Sequence, residues 1–108
     1  MTAPPYEVNA PALRDIILNQ EDFFLLDVRE PQEYAICNLG GHLIPLAQLP
    51  ARLDELDKNK RIIIHCKSGG RSYQALQFLL QMGFSNVQHL QGGILAWVKE
   101  VDPSMVGY

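Results

Sequence analysis

Apolar positions follow two alternating rhythms along this chain: short unbroken runs that suit strands, and stretches where apolar residues return every three or four positions. Phe23-Phe24-Leu25-Leu26 is the first run and leads into Asp27-Val28-Arg29. Arg61-Ile62-Ile63-Ile64-His65 is the clearest strand, its consecutive β-branched residues suited to a sheet buried on both faces. Val87-Gln88-His89-Leu90 reads as another, and His42-Leu43-Ile44 as a brief one between Gly40-Gly41 and Pro45. The helical rhythm fills the gaps. Asn9 is placed as an N-cap with Pro11 early in a helix that carries Leu13, Ile16 and Ile17 on one face. Pro31 suits the first turn of a short helix through Glu33, Tyr34 and Ile36, and Leu49, Leu53 and Leu56 mark another helical stretch. Leu76, Leu79 and Leu80 define a buried helix face, closed by Gly83 as a C′ glycine with Phe84 as its hydrophobic partner. A last helix is predicted from Ile94 to Val101. Strands alternating with helices predict an α/β fold with a mostly parallel sheet and helices on both faces.

Composition narrows the picture. The 108 residues suit one domain, 1–108, and with 47% apolar residues a packed core is expected without a disulfide or metal staple. Nine basic against twelve acidic residues give a net charge of −3 with no Lys/Arg cluster, which argues against nucleic acid as a partner. No apolar run reaches membrane-spanning length, so no membrane partner is expected. Met1–Glu7 has neither a basic region nor an apolar core of the kind that marks a secretory leader. Two cysteines without framework spacing suit a reducing compartment, and a cytoplasmic location is expected.

The chemistry concentrates at Cys66-Lys67-Ser68-Gly69-Gly70-Arg71-Ser72. Cys66 ends the Ile62–Ile64 strand, at the carboxyl edge where parallel sheets bind ligands, and Arg71-Ser72 opens the next helix. Gly69 and Gly70 allow a tight turn whose N–H groups converge on an anion, and the helix N-terminus adds partial positive charge. Such a nest favours a thiolate, with Lys67 and Arg71 reinforcing it. A thiolate held this way can attack the outer sulfur of a donor, carry it as a persulfide and offer it to an acceptor, a covalent route in two half-reactions. The alternative is an ordinary buried thiol.

Four segments resemble the rhodanese family in that family's order: Leu26 to Tyr34 around Asp27-Val28-Arg29, Gly41-His42-Leu43-Ile44-Pro45, the Cys66–Arg71 loop, and Leu90-Gln91-Gly92-Gly93-Ile94-Leu95-Ala96-Trp97. The resemblance implies a rhodanese-like, five-stranded parallel sheet, a persulfide on Cys66, and backbone amides of Lys67 to Ser72 around its sulfur. It implies a sulfur donor such as thiosulfate or a protein persulfide, and no cofactor. Tyr34 to Leu46 and Trp97 to Ser104 look more narrowly like the rhodanese domain that closes certain E1-like adenylyltransferases, which implies a ubiquitin-like sulfur-carrier protein as an acceptor. The adenylating domain is absent from these residues.

The remaining candidates receive structural roles. Asp27 ends a strand near the same rim, where a bare carboxylate would oppose the thiolate, so it is expected to pair with a cation or with backbone N–H groups. Arg29 and Glu33, four apart at a helix start, are expected to pair with each other. His65 is poorly placed as a base for its chain neighbour. His42, His65 and His89 with Cys37 and Cys66 show no metal-ligand spacing, and no metal is expected. Cys37 is read as packed rather than as a resolving thiol, and Trp97 as core. Ser68 and Ser72 are candidates either for the sulfur or for the helix end. Two rival functions remain. A cysteine phosphatase or arsenate reductase uses a similar loop, but the families resembled place five residues before the arginine, whereas four separate Cys66 from Arg71. A non-catalytic docking module of the rhodanese type is the other.

Overall fold

The computed structural model describes residues 6–108; the Met1–Pro5 part of the leader reading lies outside the described residues. Five strands form one parallel sheet: β1 (Glu7–Val8), β2 (Phe24–Asp27), β3 (His42–Leu43), β4 (Ile62–His65) and β5 (Val87–Leu90), in the order β1-β5-β4-β2-β3. Between them run α1 (Ala10–Leu18), α2 (Pro31–Ile36), a 3-10 segment (Leu46–Glu55), α3 (Gly70–Gln81) and α4 (Gly93–Glu100). Every pairing is parallel, so the predicted mostly parallel sheet is wholly so.

The central strand is β4, whose residues are all buried, as three adjacent isoleucines between two helix layers require. Alternation along it divides the core. Ile62 and Ile64 join Leu26, Leu76, Leu79 and Val87 on one face, while Ile63 joins Leu13, Ile16 and Leu90 on the other. Asn9 caps α1 as predicted, its side chain accepting from Ala12 N at 2.8 Å. Ile17 departs from its assignment: it is 42% exposed, because the buried stripe of so short a helix is filled by Ala10, Leu13 and Ile16. The Leu49 region is not one regular helix. Pro50 lies inside it and Arg52 leaves helical geometry at φ −123°, so Leu49 is buried within a 3-10 segment and Leu56 beyond it.

Gly83 closes α3 as expected: Phe84 N donates to Leu79 O at 3.0 Å and Gly83 N to Leu80 O at 3.2 Å, and Phe84 is buried. β1 was not read from the sequence, since two residues directly before a helix cap carry no period.

Candidate active site

Cys66 follows β4 at the carboxyl edge of the sheet, and the chain turns back over it into α3. Gly69 N donates to Cys66 Sγ at 3.1 Å and Ser72 N at 3.3 Å. These donors come from the N-cap residue and first turn of α3, whose free N–H groups otherwise lack partners, so the sulfur sits where the helix presents positive partial charge. Gly69 makes the turn possible at φ +121°, a backbone setting that L side chains avoid. Gly70 is helical and has open space around it, so of the two glycines only Gly69 is demanded by geometry.

A second helix also holds the loop. Ile94 N donates to Cys66 O at 2.9 Å and Leu95 N to Lys67 O at 3.1 Å, so the first-turn amides of α4 fix two carbonyls of the loop. This docking leaves no room for a side chain at Gly93: an added Cβ would overlap the Lys67 carbonyl and lie 2.7 Å from Cys66 O. The sequence reading treated Gly92-Gly93 only as part of a resemblance. A double glycine opening a helix was the available signal for a close backbone approach.

Asp27, Arg29 and Glu33 adopt a different pairing from the one expected. Arg29, wholly buried, grips Asp27 through Nε on Oδ1 at 3.0 Å and Nη2 on Oδ2 at 2.8 Å, and Arg29 N adds a further bond to Oδ1. Asp27 thus has both the cation and the backbone N–H that its position called for. Burial opposes the guanidinium charge, but the hydrogen bond and Coulomb attraction of Asp27 outweigh it and hold the Arg29 pKa above its ordinary value. The expected Arg29–Glu33 ion pair does not form. Arg29 reaches only the Glu33 carbonyl, at 3.4 Å, and also serves Cys37 O at 2.8 Å, satisfying carbonyls where α2 ends.

The Glu33 carboxylate instead grips Arg71 across the sheet edge at 2.6 and 2.9 Å. It is also part of a capping box with Glu30. The Arg71 hydrogen bond, opposed by burial, brings the Glu33 pKa down to about 2. Helix spacing proposed the wrong partner because Asp27, two residues from Arg29, was closer in space, and the pairing of α2 with α3 is invisible to local sequence.

Arg71 therefore meets the loop with its charge partly compensated. Lys67 lies over the ring of Tyr108, its Nζ 4.2 Å from the centroid, and Tyr108 O accepts from Arg29 Nη1 at 2.8 Å. Ser72 is buried, and its hydroxyl bonds Gly69 O at 3.1 Å, so it serves the loop backbone; its own amide is what reaches the sulfur. Ser68 makes no side-chain hydrogen bond among the described residues. His65 turns away from Cys66 Sγ toward Asp27, with Nε2 3.5 Å from Oδ2. Its burial outweighs the attraction of Asp27 and lowers its pKa, so at neutral pH this is a dipolar contact rather than an ion pair. Cys37 is half-buried with Arg29 Nη1 3.9 Å from its sulfur, and Trp97 packs against the cluster around Leu13 and Ile63.

A cysteine at the carboxyl end of a central parallel strand, held by amides from two helix N-termini, defines an α/β domain built around a thiol in an anion-binding loop. The rhodanese-like domain family matches residues 9–100, and the chain belongs to that family. A sulfurtransferase of Allochromatium vinosum is 37% identical over 94 residues, covering 86% of this chain and 88% of that protein. The probable adenylyltransferase/sulfurtransferase MoeZ of Mycobacterium tuberculosis is 39% identical over 99 residues, but this chain spans only 25% of its length. The crystal structure of a rhodanese-related protein from Thermoplasma volcanium superposes with a TM-score of 0.80 at 32% identity, covering 89% of this chain and 93% of that one.

Proposed function

We propose that the chain is a sulfurtransferase in which Cys66 carries sulfane sulfur as a persulfide. The observation that carries this reading is the pair of amides at 3.1 and 3.3 Å from Cys66 Sγ, which stabilise an anionic sulfur at the end of β4. With thiosulfate as donor, the Cys66 thiolate attacks the outer sulfur; a new S–S bond forms, the donor's S–S bond breaks and sulfite leaves with its electron pair. In the second half-reaction an acceptor nucleophile attacks the outer sulfur of the persulfide, and the Cys66 thiolate is regenerated. Lys67, Ser68, Gly69, Gly70, Arg71 and Ser72 form the binding loop, with Lys67 and Arg71 supplying its positive charge. Asp27, Arg29 and Glu33 support it structurally.

Thiosulfate and a protein persulfide are the donor classes, and small thiophiles or a ubiquitin-like sulfur carrier the acceptors. Likeness to part of MoeZ and of the plant adenylyltransferase and sulfurtransferase MOCS3 supports the carrier. Among the described residues no helix is long and apolar enough to cross a membrane.

Intact mass spectrometry after incubation with thiosulfate or a persulfide donor tests the reading. The expected result is a gain of one sulfur atom that cyanide removes and that Cys66→Ser abolishes. Cys66 is only 1% exposed, the one observation that favours a non-catalytic docking module; no adduct with either donor would favour that alternative. Hydrolysis of p-nitrophenyl phosphate is expected to be negligible, because four residues before Arg71 make a narrower cradle than a phosphatase loop. Robust turnover lost in Cys66→Ala would reverse the assignment.

A further inference from the structure

His89 lies on β5, beside β4, and nothing in the sulfur-transfer chemistry above uses it. It is 6% exposed, and its Nδ1 lies 3.2 Å from Ser72 Oγ. That hydroxyl also bonds Gly69 O at 3.1 Å, while Gly69 N and Ser72 N are the two amides on Cys66 Sγ. On its other side, His89 Nε2 has no hydrogen-bond partner among the described residues and faces Glu7 Oε2 at 3.6 Å, across the β1–β5 pairing that sets Glu7 opposite His89. A cavity of about 220 Å³, lined by Tyr6, Glu7, Tyr73, Gln77 and His89 among others, adjoins the ring.

We infer that His89 is a positioning residue: by deciding which way the Ser72 hydroxyl donates, it sets how firmly the Gly69–Ser72 turn holds its two amides on Cys66. The hydroxyl has one proton and two acceptors within reach. When His89 carries a proton only on Nε2, the form the Glu7 carboxylate favours, Nδ1 is an acceptor and competes with Gly69 O for that proton. When His89 is an imidazolium, Nδ1–H donates to Ser72 Oγ, and the hydroxyl proton goes to Gly69 O. Only the imidazolium satisfies Gly69 O, Ser72 Oγ and Glu7 together. It also places a positive charge behind the amides that face the sulfur.

The groups facing His89 are few. Glu7 comes from β1, the Tyr73 ring from α3 at 5.7 Å, and Tyr6 from the cavity wall; β4 presents the apolar Ile64 in register with it. Burial, outweighing Glu7, lowers the His89 pKa, so the imidazolium forms on the acid side of 6.5. The cavity gives the ring a path to solvent protons.

The inference rests on the sulfur-carrying role of Cys66 for its purpose, but its test reads the thiol alone. The rate of Cys66 alkylation by iodoacetamide is measured against pH for the wild-type chain, Ser72→Ala, His89→Asn and His89→Leu. The wild type is expected to show an inflection below 6.5 from His89. His89→Asn keeps a side-chain amide oxygen that can accept from Ser72 Oγ as the neutral Nδ1 does and cannot titrate, so it should retain the neutral-pH rate within about twofold and lose the acid-side inflection. Ser72→Ala should lose the same inflection because the relay is cut. His89→Leu should lose the inflection as well and, with no acceptor left to compete with Gly69 O, react at neutral pH at least as fast as the wild type. Persistence of the acid-side inflection in His89→Asn or Ser72→Ala would overturn the inference, and His89→Asn decides the matter even if His89→Leu fails to fold. Failure to gain sulfur in the mass experiment, with the inflection present, would sink the transferase reading and leave the coupling standing.

Discussion

Gly69 and Gly70 stand side by side in the sequence and do different work. At φ +121° Gly69 occupies backbone space that costs an L side chain about 1–3 kcal/mol, and its amide is one of the two on Cys66 Sγ. Gly70 is already helical with nothing within 4 Å of an added Cβ, and alanine favours a helix over glycine by up to about 1 kcal/mol. Gly69→Ala is therefore expected to lower stability and slow Cys66 alkylation, while Gly70→Ala leaves both unchanged or raises stability. Urea unfolding with alkylation rates on the two variants checks this, and equal losses in both would refute the assignment. The same scale shows what local spacing misreads. Arg29 and Glu33 have the right separation for a helical pair, yet each found a better partner: Asp27, already buried beside Arg29, and Arg71, brought in by another helix.

Helices α3 and α4 both act on the loop, α3 through amides on the sulfur and α4 through amides on the Cys66 and Lys67 carbonyls. This arrangement explains why Gly92-Gly93 opens α4, since backbone must touch backbone there. Gly93→Ala has no flexible neighbour to move aside, because the atoms it meets are the Lys67 and Cys66 carbonyls. The variant should lose about 2 kcal/mol or more, in the range of overpacking and strain, and its Cys66 loop should show faster amide hydrogen exchange. Unchanged exchange across residues 66–72 would show that α4 is not what holds the loop. The docking was legible only as a double glycine before a helix; its target was not, because the bonded residues are 28 positions apart.

For the whole molecule, the histidine and Glu33 titrations that shift on folding share one sign. Burial lowers the pKa of His65 and, against Glu7, that of His89, so between the folded values and 6.5 the unfolded chain binds more protons than the folded one. Glu33, held at about 2 against an ordinary 4.5, adds a second loss in that lower window. Stability is thus fully present above 6.5 and is expected to fall in two stages on acidification, the first from the histidines below 6.5 and the second from Glu33 between 4.5 and 2. Urea midpoints measured from pH 8 to pH 3 check this; a midpoint that stays flat or rises as pH falls from 7 to 5 would contradict it.

By itself the sequence determined the parallel α/β class, four of the five strands, the caps at Asn9 and Gly83, and the loop around Cys66. Each is written in neighbouring residues, through hydrophobic period, turn chemistry or motif order. Only the tertiary structure decided that Glu33 holds Arg71, that Arg29 holds Asp27 and the end of α2, that α4 braces the loop, and that His89 reaches Ser72. Apart from the contacts of Arg29 with Asp27 and with the end of α2, these join segments well separated along the chain. Their partners are selected by sheet order and helix packing, which no local period records.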